Sequence, residues 1–143
     1  MPSTPPPETN TAMTVAARAL KAQTARMRII AENIANAQST ARTPEEDPYR
    51  RQIPTFKTEM MREMGNAKTV ELDRVVESEK PFTMKYQPGH PSANAEGYVK
   101  YPNVSVLIES MDMREAQRAY EANLNVIDTA RAMDQRALSL LQR

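Results

Sequence analysis

The placement of proline and glycine limits the fold of this chain more than any other feature of its sequence. The 11 prolines and 3 glycines lie within residues 2–7 and 44–102, so that residues 8–43 and 103–143 contain neither. Inside a helix, proline costs about 3 kcal/mol and glycine about 1 kcal/mol relative to alanine. The pattern therefore predicts two long helices, one at each end of the chain, around an insert of loops and short strands.

The first of these segments has the periodicity of a coiled-coil helix over residues 11–37. Apolar side chains repeat every seven residues at Met13, Leu20, Met27 and Ile34, and Ala16, Ile30 and Ala37 each follow one of them by three residues. This spacing places them on one face, which packs against another helix of a coiled coil or bundle. Residues 1–10 contain four prolines, and their composition is typical of a disordered tail.

A second helix is predicted over residues 104–143, with Asn103 or Ser105 as its N-cap. One stripe of this helix is mostly apolar and consists of Met113, Ala116, Tyr120, Ile127, Ala130, Ala137 and Leu141, interrupted by Asn123 and Asp134. At 1.5 Å per residue the helix is about 60 Å long, whereas a compact domain of this size has a radius of gyration of about 15 Å. We therefore expect an elongated, mainly α-helical molecule.

Residues 38–103 form the insert, which is predicted to contain short strands and turns. One strand is expected after Gly65-Asn66, on Val70, Leu72, Val75 and Val76, and a second, half-buried strand on the alternating residues Phe82, Met84 and Tyr86. The segment Gln87-Pro88-Gly89-His90 suits a type II turn, in which the glycine supplies a positive φ. The insert has too few large apolar residues for a core of its own, so it must pack on the helices or on another chain.

Composition argues against catalysis, metal binding and nucleic-acid binding. The chain has no cysteine, one histidine, 5% aromatic residues and a net charge of +1. A nucleic-acid-binding surface would need a basic excess, and thiolate chemistry is excluded. His90 lies in a proline-bounded turn without a nucleophile motif, and one histidine among scattered carboxylates lacks the spacing of metal ligands. We therefore expect no catalytic, cofactor-binding or metal-binding residues.

Apolar runs in this sequence are short. None approaches the ~20 residues of a membrane-spanning helix, or the roughly 7–15 residues of a signal-peptide core. We therefore expect a chain that is not inserted in a membrane. Any export would use a route that does not depend on a cleaved signal.

Asn33 and Asn36 lie one turn apart near the end of the first predicted helix. Asparagine favours turns and helix ends, so the pair could simply mark the point where the helix stops. Alternatively, buried amide side chains could fix the register between packed helices, as polar residues do in coiled-coil seams. The sequence leaves both interpretations open.

Four segments occur in order along the chain and together have a specific resemblance. They are residues 26–37 (RMRIIAENIANA), 48–51 (PYRR), 86–103 (YQPGHPSANAEGYVKYPN) and 111–123 (MDMREAQRAYEAN). Over about residues 15–143, the chain resembles the flagellar basal-body rod proteins of the bacterial proximal rod, within the axial family of rod and hook proteins. It departs from that family at Arg18-Ala19, where a Ser-Gly pair is usual.

This resemblance implies a structural subunit rather than an enzyme. Its terminal helices would form an inner coiled-coil layer of a hollow tube crossing the periplasm, the drive shaft used for motility, and the insert would form an outer layer. Implied partners are further copies, the other proximal and distal rod proteins, the rod–MS-ring junction protein and the flagellar type III export apparatus, with peptidoglycan nearby. The predicted assembly interface comprises Leu20, Met27, Ile30, Asn33, Ile34, Asn36, Met113, Tyr120, Asn123, Ile127 and Leu141.

Three other functions stay open at this point. The first is a rod or needle component of a related type III secretion system, although the Pro-Gly-His-Pro stretch argues against it. The second is a small periplasmic hydrolase that uses His90 with a nearby carboxylate. The third is a module that binds the cell wall.

Overall fold

The structure, a computed structural model, describes residues 8–143. In chain order its elements are helix α1 (Glu8–Asn36), strand β1 (Gln52–Met61), a 3-10 turn (Arg62–Met64), strands β2 (Ala67–Glu77), β3 (Thr83–Tyr86) and β4 (Tyr98–Tyr101), and helix α2 (Val106–Leu141). The prediction of two long terminal helices around small β elements is confirmed. The predicted tail over residues 1–10 lies mostly outside the described residues, and residues 8–10 begin α1.

The chain forms two compact units, each assembled from separate segments. One contains the described residues up to Arg26, together with Thr55–Arg74 and Glu115–Arg143. The other contains Met27–Pro54 and Val75–Arg114. Both helices therefore contribute to both units, and each unit draws its core from distant parts of the sequence.

In the first unit the buried helical positions are mainly alanines. Ala16 and Ala22 of α1 and Ala116 and Ala130 of α2 are all buried, and three of them belong to the predicted apolar seams. Because the distance between packed helices depends on the side chains at the contact, alanine permits a close approach. The predicted packing faces are thus buried at Ala16, Ala116 and Ala130, whereas Ala22 is buried outside them.

Strands β1 and β2 pair in a two-stranded sheet. Gly65 and Asn66, between them, both have a positive φ, of 66° and 64°. Gly65 ends the 3-10 turn as its left-handed C-cap, where a residue without a Cβ has no steric penalty. Asparagine tolerates the same conformation better than most residues. The strand predicted after Gly65-Asn66 is confirmed as β2. Within the same unit, Arg18 of α1 forms ion pairs with Glu71 and Glu59 of these strands.

Strands β3 and β4 pair antiparallel, with Thr83 opposite Tyr101 and Tyr86 opposite Tyr98. The predicted strand is present as β3, but every residue of β3 is exposed, so the prediction that it is half-buried is wrong. The buried residue of this sheet is Val99, on β4. Alternating apolar residues indicate a strand, because successive side chains point to opposite faces of a sheet. In a two-stranded sheet they do not show which strand is buried.

The turn at residues 87–90 is confirmed, since the amide of His90 donates to the carbonyl of Gln87 at 3.0 Å. Its predicted type is wrong, because Gly89 does not have a positive φ. Proline at the second position also suits a type I turn, which needs no such glycine. The glycine with a positive φ in this region is Gly97, at 86°.

Replacing Gly97 with alanine is expected to lower the free energy of unfolding by about 1–3 kcal/mol. Its φ is unfavourable for any side chain, and an added Cβ would lie 2.9 Å from Cε2 of Tyr86 and 3.1 Å from Cβ of Pro88. Gly89→Ala is the matched control, because a Cβ there meets no atom within 4 Å. Denaturant unfolding of both variants tests this, and equal losses would contradict it.

Candidate functional site

A buried polar cluster in the second unit joins α1, the start of β1 and α2. We call it the Asn33 cluster, and it consists of Asn33, Tyr49, Arg51, Gln52 and Glu109. Asn33 is only 1% exposed. Its Oδ1 accepts from the Tyr49 hydroxyl at 2.7 Å and the Gln52 amide at 2.9 Å. Its Nδ2 donates to the Gln52 carbonyl at 2.9 Å and to Oε2 of Glu109 at 3.3 Å. All four hydrogen-bonding positions of this amide are therefore used.

Glu109 supplies the charged part of the cluster. It is fully buried, at 0% exposure, and its Oε1 accepts from Nε of Arg51. Arg51 also lies 3.5 Å from Oδ2 of the half-exposed Asp112. A buried carboxylate is tolerated only when it is paired and hydrogen-bonded, and Glu109 has both a cation and an amide as partners.

Tyr49 completes the cluster as a hydrogen-bond donor. Burial raises the pKa of Tyr49 above its usual value of 10.0, and the nearby charges of Glu32, Glu109 and Glu77 raise it further. The phenol therefore keeps its proton throughout the neutral pH range. A protonated hydroxyl is what Oδ1 of Asn33 needs, since that oxygen can only accept.

Asn103 and Ser105 have different roles just before α2. Oδ1 of Asn103 accepts from the Arg51 amide at 2.8 Å, and its Nδ2 donates to the Lys80 carbonyl at 2.9 Å. The Ser105 carbonyl accepts the amide of Glu109 at 3.0 Å. Because the N-cap carbonyl accepts the first helical hydrogen bond, Ser105 occupies the N-cap position and Asn103 braces the segment before it.

The two asparagines of the first helix behave differently. Asn33 connects α1 to β1 and α2, which agrees with the hypothesis of a buried amide that fixes register. Asn36 is half-buried at the last residue of α1, and its Nδ2 donates to the Glu32 carbonyl of the same helix at 2.8 Å. Asn36 therefore has the position expected of a helix-end residue, whereas Asn33 makes contacts that the register hypothesis requires, and its role in register stays a prediction.

Most residues of the predicted assembly interface are buried or half-buried within the chain itself. Ile30 and Asn33 are buried. The half-buried members are Leu20, Met27, Ile34, Asn36, Met113, Tyr120, Asn123 and Ile127. Leu141, in contrast, is 84% exposed. A direct contact of these residues with neighbouring subunits stays a prediction.

The large apolar residues that α2 leaves exposed lie mainly elsewhere. At the start of the helix are Val106, Leu107, Ile108 and Met111, which we call the α2 start patch; Leu107 is 73% exposed. This patch was not predicted from the sequence, because it lies outside the one stripe of α2 on which the prediction was based. The signal was present, since Leu107, Ile108 and Met111 lie within about 100° of one another around the helix and away from that stripe. Further exposed residues on α2 are Leu124, Val126, Met133, Leu138, Leu140 and Leu141.

The described residues offer little for small-ligand chemistry. His90 lies in its turn, where Nδ1 accepts from the amide of Ser92 at 3.0 Å. Among residues 8–143, no group of three or more histidine, aspartate or glutamate side chains is placed to hold a metal ion. No helix in this described range has the length and apolar character needed to cross a membrane.

Comparison with known proteins identifies the family. The family model "Flagella basal body rod protein" matches residues 13–42, which include Asn33. The model "Flagellar basal body rod FlgEFG protein C-terminal" matches residues 95–140, which include Glu109.

Curated relatives extend this match over most of the chain, and each is a flagellar basal-body rod protein FlgC. The protein of Agrobacterium fabrum is 44% identical over 128 residues, covering 90% of this chain and 91% of the relative. The protein of Salmonella typhimurium is 38% identical with coverage of 90% and 94%. The protein of Bacillus subtilis is 34% identical with coverage of 90% and 95%. The chain therefore belongs to the FlgC family of flagellar basal-body rod proteins, which are structural proteins and not enzymes.

Proposed function

We propose that this chain is a subunit of the proximal rod, the part of the flagellar drive shaft that crosses the periplasm. Many copies would assemble helically with other rod proteins into a stiff, hollow tube. Family membership supports a rod subunit that assembles with other rod proteins. The alternatives of a secretion-system component and of a hydrolase using His90 gain no support from the relatives, which are flagellar rod proteins.

The observation that carries this proposal is the α2 start patch. Leu107, Ile108 and Met111 are each more than half exposed, and exposed apolar side chains that lie together mark surfaces that contact other proteins. Glu109 belongs to the same turns of α2 but points inward to Arg51 and Asn33. The Asn33 cluster therefore holds the helix start in place and fixes which side chains face outward.

The specific partners and the location of this chain are inferred from its resemblance to proximal rod proteins. We propose contacts with the rod–MS-ring junction protein and with the neighbouring proximal and distal rod proteins. Delivery would use the flagellar type III export apparatus without a cleaved signal, and the finished rod would pass close to peptidoglycan. The half-buried stripe residues, such as Met27 and Ile127, would contact neighbouring subunits through their exposed edges.

Leu107→Asp is expected to abolish incorporation into basal bodies, and with it swimming, in cells that lack their own copy of the gene. A carboxylate in the patch would have to be desolvated on contact with a neighbouring subunit. Because Leu107 is 73% exposed in the free chain, its helix content and unfolding curve should stay unchanged. Basal-body isolation and soft-agar swimming measure the outcome.

Gln117→Asp is the matched control, because Gln117 is an exposed residue of the same helix outside the patch. It should assemble like the unchanged chain. Normal swimming by Leu107→Asp would show that the patch is not an assembly surface. Normal swimming by cells without the gene would refute the proposed function itself.

A further inference from the structure

We infer that the proline-rich segment of residues 2–7 in one copy of this chain binds an exposed tyrosine pair on the β3–β4 sheet of another copy. The inference rests on the proposed rod function, in which copies lie next to one another, and names one contact within it. It joins an uncovered surface of the sheet to a sequence motif that the rod function leaves without a role.

One face of the β3–β4 sheet carries exposed apolar side chains. Tyr86 lies directly opposite Tyr98. On the same two strands, Met84 lies opposite Lys100. Because side chains two residues apart in a strand share a face, these four residues form one surface, which we call the Tyr86 face. Val99 is 0% exposed and belongs to the other face of the sheet, so the Tyr86 face is the one that points away from the interior.

The two tyrosines make the Tyr86 face both aromatic and able to donate hydrogen bonds. Tyr86 is 65% exposed, and Tyr98 and Met84 are 41% and 45% exposed. The tyrosine ring centroids lie 5.4 Å apart, with an angle of 64° between the ring planes. Each ring ends in a hydroxyl that can act as a donor. Exposed aromatic side chains grouped in this way are typical of surfaces that bind proline-rich segments.

Residues 2–7 have the composition of such a ligand. The segment reads PSTPPP, with four prolines and the spacing Pro-x-x-Pro from Pro2 to Pro5. Sequences of this kind favour the polyproline II helix, whose backbone carbonyls have no internal hydrogen-bond partner. Those carbonyls would accept from the tyrosine hydroxyls while the proline rings pack on the tyrosine rings. Because proline restricts the free segment to this extended form, binding costs little conformational entropy.

Charge agrees with an uncharged occupant of the Tyr86 face. Residues 2–7 contain no charged side chain. Lys100 is the charged member of the Tyr86 face, and its Nζ is paired with Oδ1 of Asp47 at 3.3 Å. A face whose cation has a partner within its own chain offers no free charge to an acidic segment. It therefore suits a segment made of proline, serine and threonine.

The segment has to come from another copy, because it is too short to reach the Tyr86 face of its own chain. It joins α1 at Glu8, and α1 is one helix of 29 residues, which is about 42 Å long. The Tyr86 face lies near the far end of that helix, since Nζ of Lys85 is 3.5 Å from Oε1 of Gln38. Residues 1–7 span about 22 Å as polyproline II. That length is about half of what a return along α1 requires.

Titration of the full chain with a peptide of residues 1–8 tests this contact directly. In NMR spectra of the dilute chain we expect saturable shifts of the Tyr86 and Tyr98 side-chain signals. Tyr86→Ala should weaken binding at least about tenfold, as truncation of an aromatic anchor does. Thr83→Ala, on the opposite face of β3, should leave binding unchanged.

A second peptide shows whether the prolines are recognised. It carries alanine at residues 5–7 and should shift neither tyrosine. Shifts of equal size with both peptides, or no shift with the native one, would overturn the inference.

The chain has no cysteine, so cross-linking tests the same contact in assembled rods. Two differently tagged versions, one with Thr4→Cys and one with Met84→Cys, are expressed together in cells that lack the native gene, and isolated basal bodies are mildly oxidised. We expect a dimer that carries both tags. As the matched control, Thr83→Cys replaces Met84→Cys and moves the thiol to the opposite face of β3; this pair should give no mixed dimer.

These outcomes separate the inference from the proposed function. Rods that contain both versions but yield no mixed dimer would overturn the inference and leave the rod function intact. A cross-link from Met84→Cys to a different rod protein, or an equal yield of mixed dimer with Thr83→Cys, would overturn it as well. Failure of the tagged, otherwise unchanged chain to enter basal bodies would refute the rod function, and the peptide titration would still decide whether the segment binds the Tyr86 face.

Discussion

Arg51→Met is expected to lower the free energy of unfolding by about 3–5 kcal/mol. The substitution preserves much of the side-chain volume but leaves the carboxylate of Glu109, which is 0% exposed, without its cation. The amide of Asn33, at 3.3 Å, would be its remaining partner in the Asn33 cluster. Denaturant unfolding followed by circular dichroism measures the loss.

Two further variants show whether the buried charge is the cause. Combining Arg51→Met with Glu109→Leu removes both charges and should recover much of the lost stability, as happens when a buried ion pair is replaced by apolar residues. Lys100→Met breaks the exposed ion pair with Asp47, whose atoms are 3.3 Å apart, and should cost less than about 1 kcal/mol. If Arg51→Met costs no more than this control, Glu109 does not depend on Arg51.

Asn33→Leu is the second substitution with a large expected effect, a loss of about 3 kcal/mol in the free energy of unfolding. It removes the four hydrogen bonds made by the Asn33 amide. The backbone of Gln52 and the hydroxyl of Tyr49 would lose their partners, and each buried group left unsatisfied costs about 1–3 kcal/mol. Denaturant unfolding measures the change, and basal-body isolation shows whether the variant still assembles.

Asn36→Leu is the matched control for this substitution. Asn36 lies three residues later on the same helix and donates to a carbonyl of its own turn. The expected cost is below about 1 kcal/mol, because that carbonyl remains accessible to water at the helix end. Similar losses for the two variants would show that Asn33 has no special role in joining the helices.

The long helices and strand β2 were predictable because local rules decide them. Proline and glycine are absent from both helices, and the turn residues Gly65 and Asn66 precede β2. The Asn33 cluster was predictable only in part. Asparagine within an apolar seam raised the hypothesis of a register-fixing amide, but its partner Glu109 lies 76 residues away. Helical periodicity does not show which of the neighbouring acids Glu109, Asp112 and Glu115 turns inward.

The exposed surfaces were harder to predict, for a related reason. A single sequence shows which side chains of a helix share a face, but not whether that face meets the same chain or another one. The stripe through Tyr120 and Ile127 was predicted as an assembly surface, and the structure shows it partly covered by its own chain. Leu107, outside that stripe, is far more exposed. Tertiary packing covers one apolar face of α2 and leaves the face that contains Leu107 exposed, where a neighbouring subunit could contact it.

The assembly of each unit from distant segments has a consequence for how the protein is made. The ribosome synthesises the N-terminal segment first. The hydrogen bond between Asn33 and Glu109, and the packing of α1 with the alanines of α2, form only after α2 has been made. Contacts between residues so far apart in sequence form slowly. During synthesis the second unit therefore cannot close before the segment that ends at Arg114 has been made, and the first unit cannot close before its segment of α2 has followed.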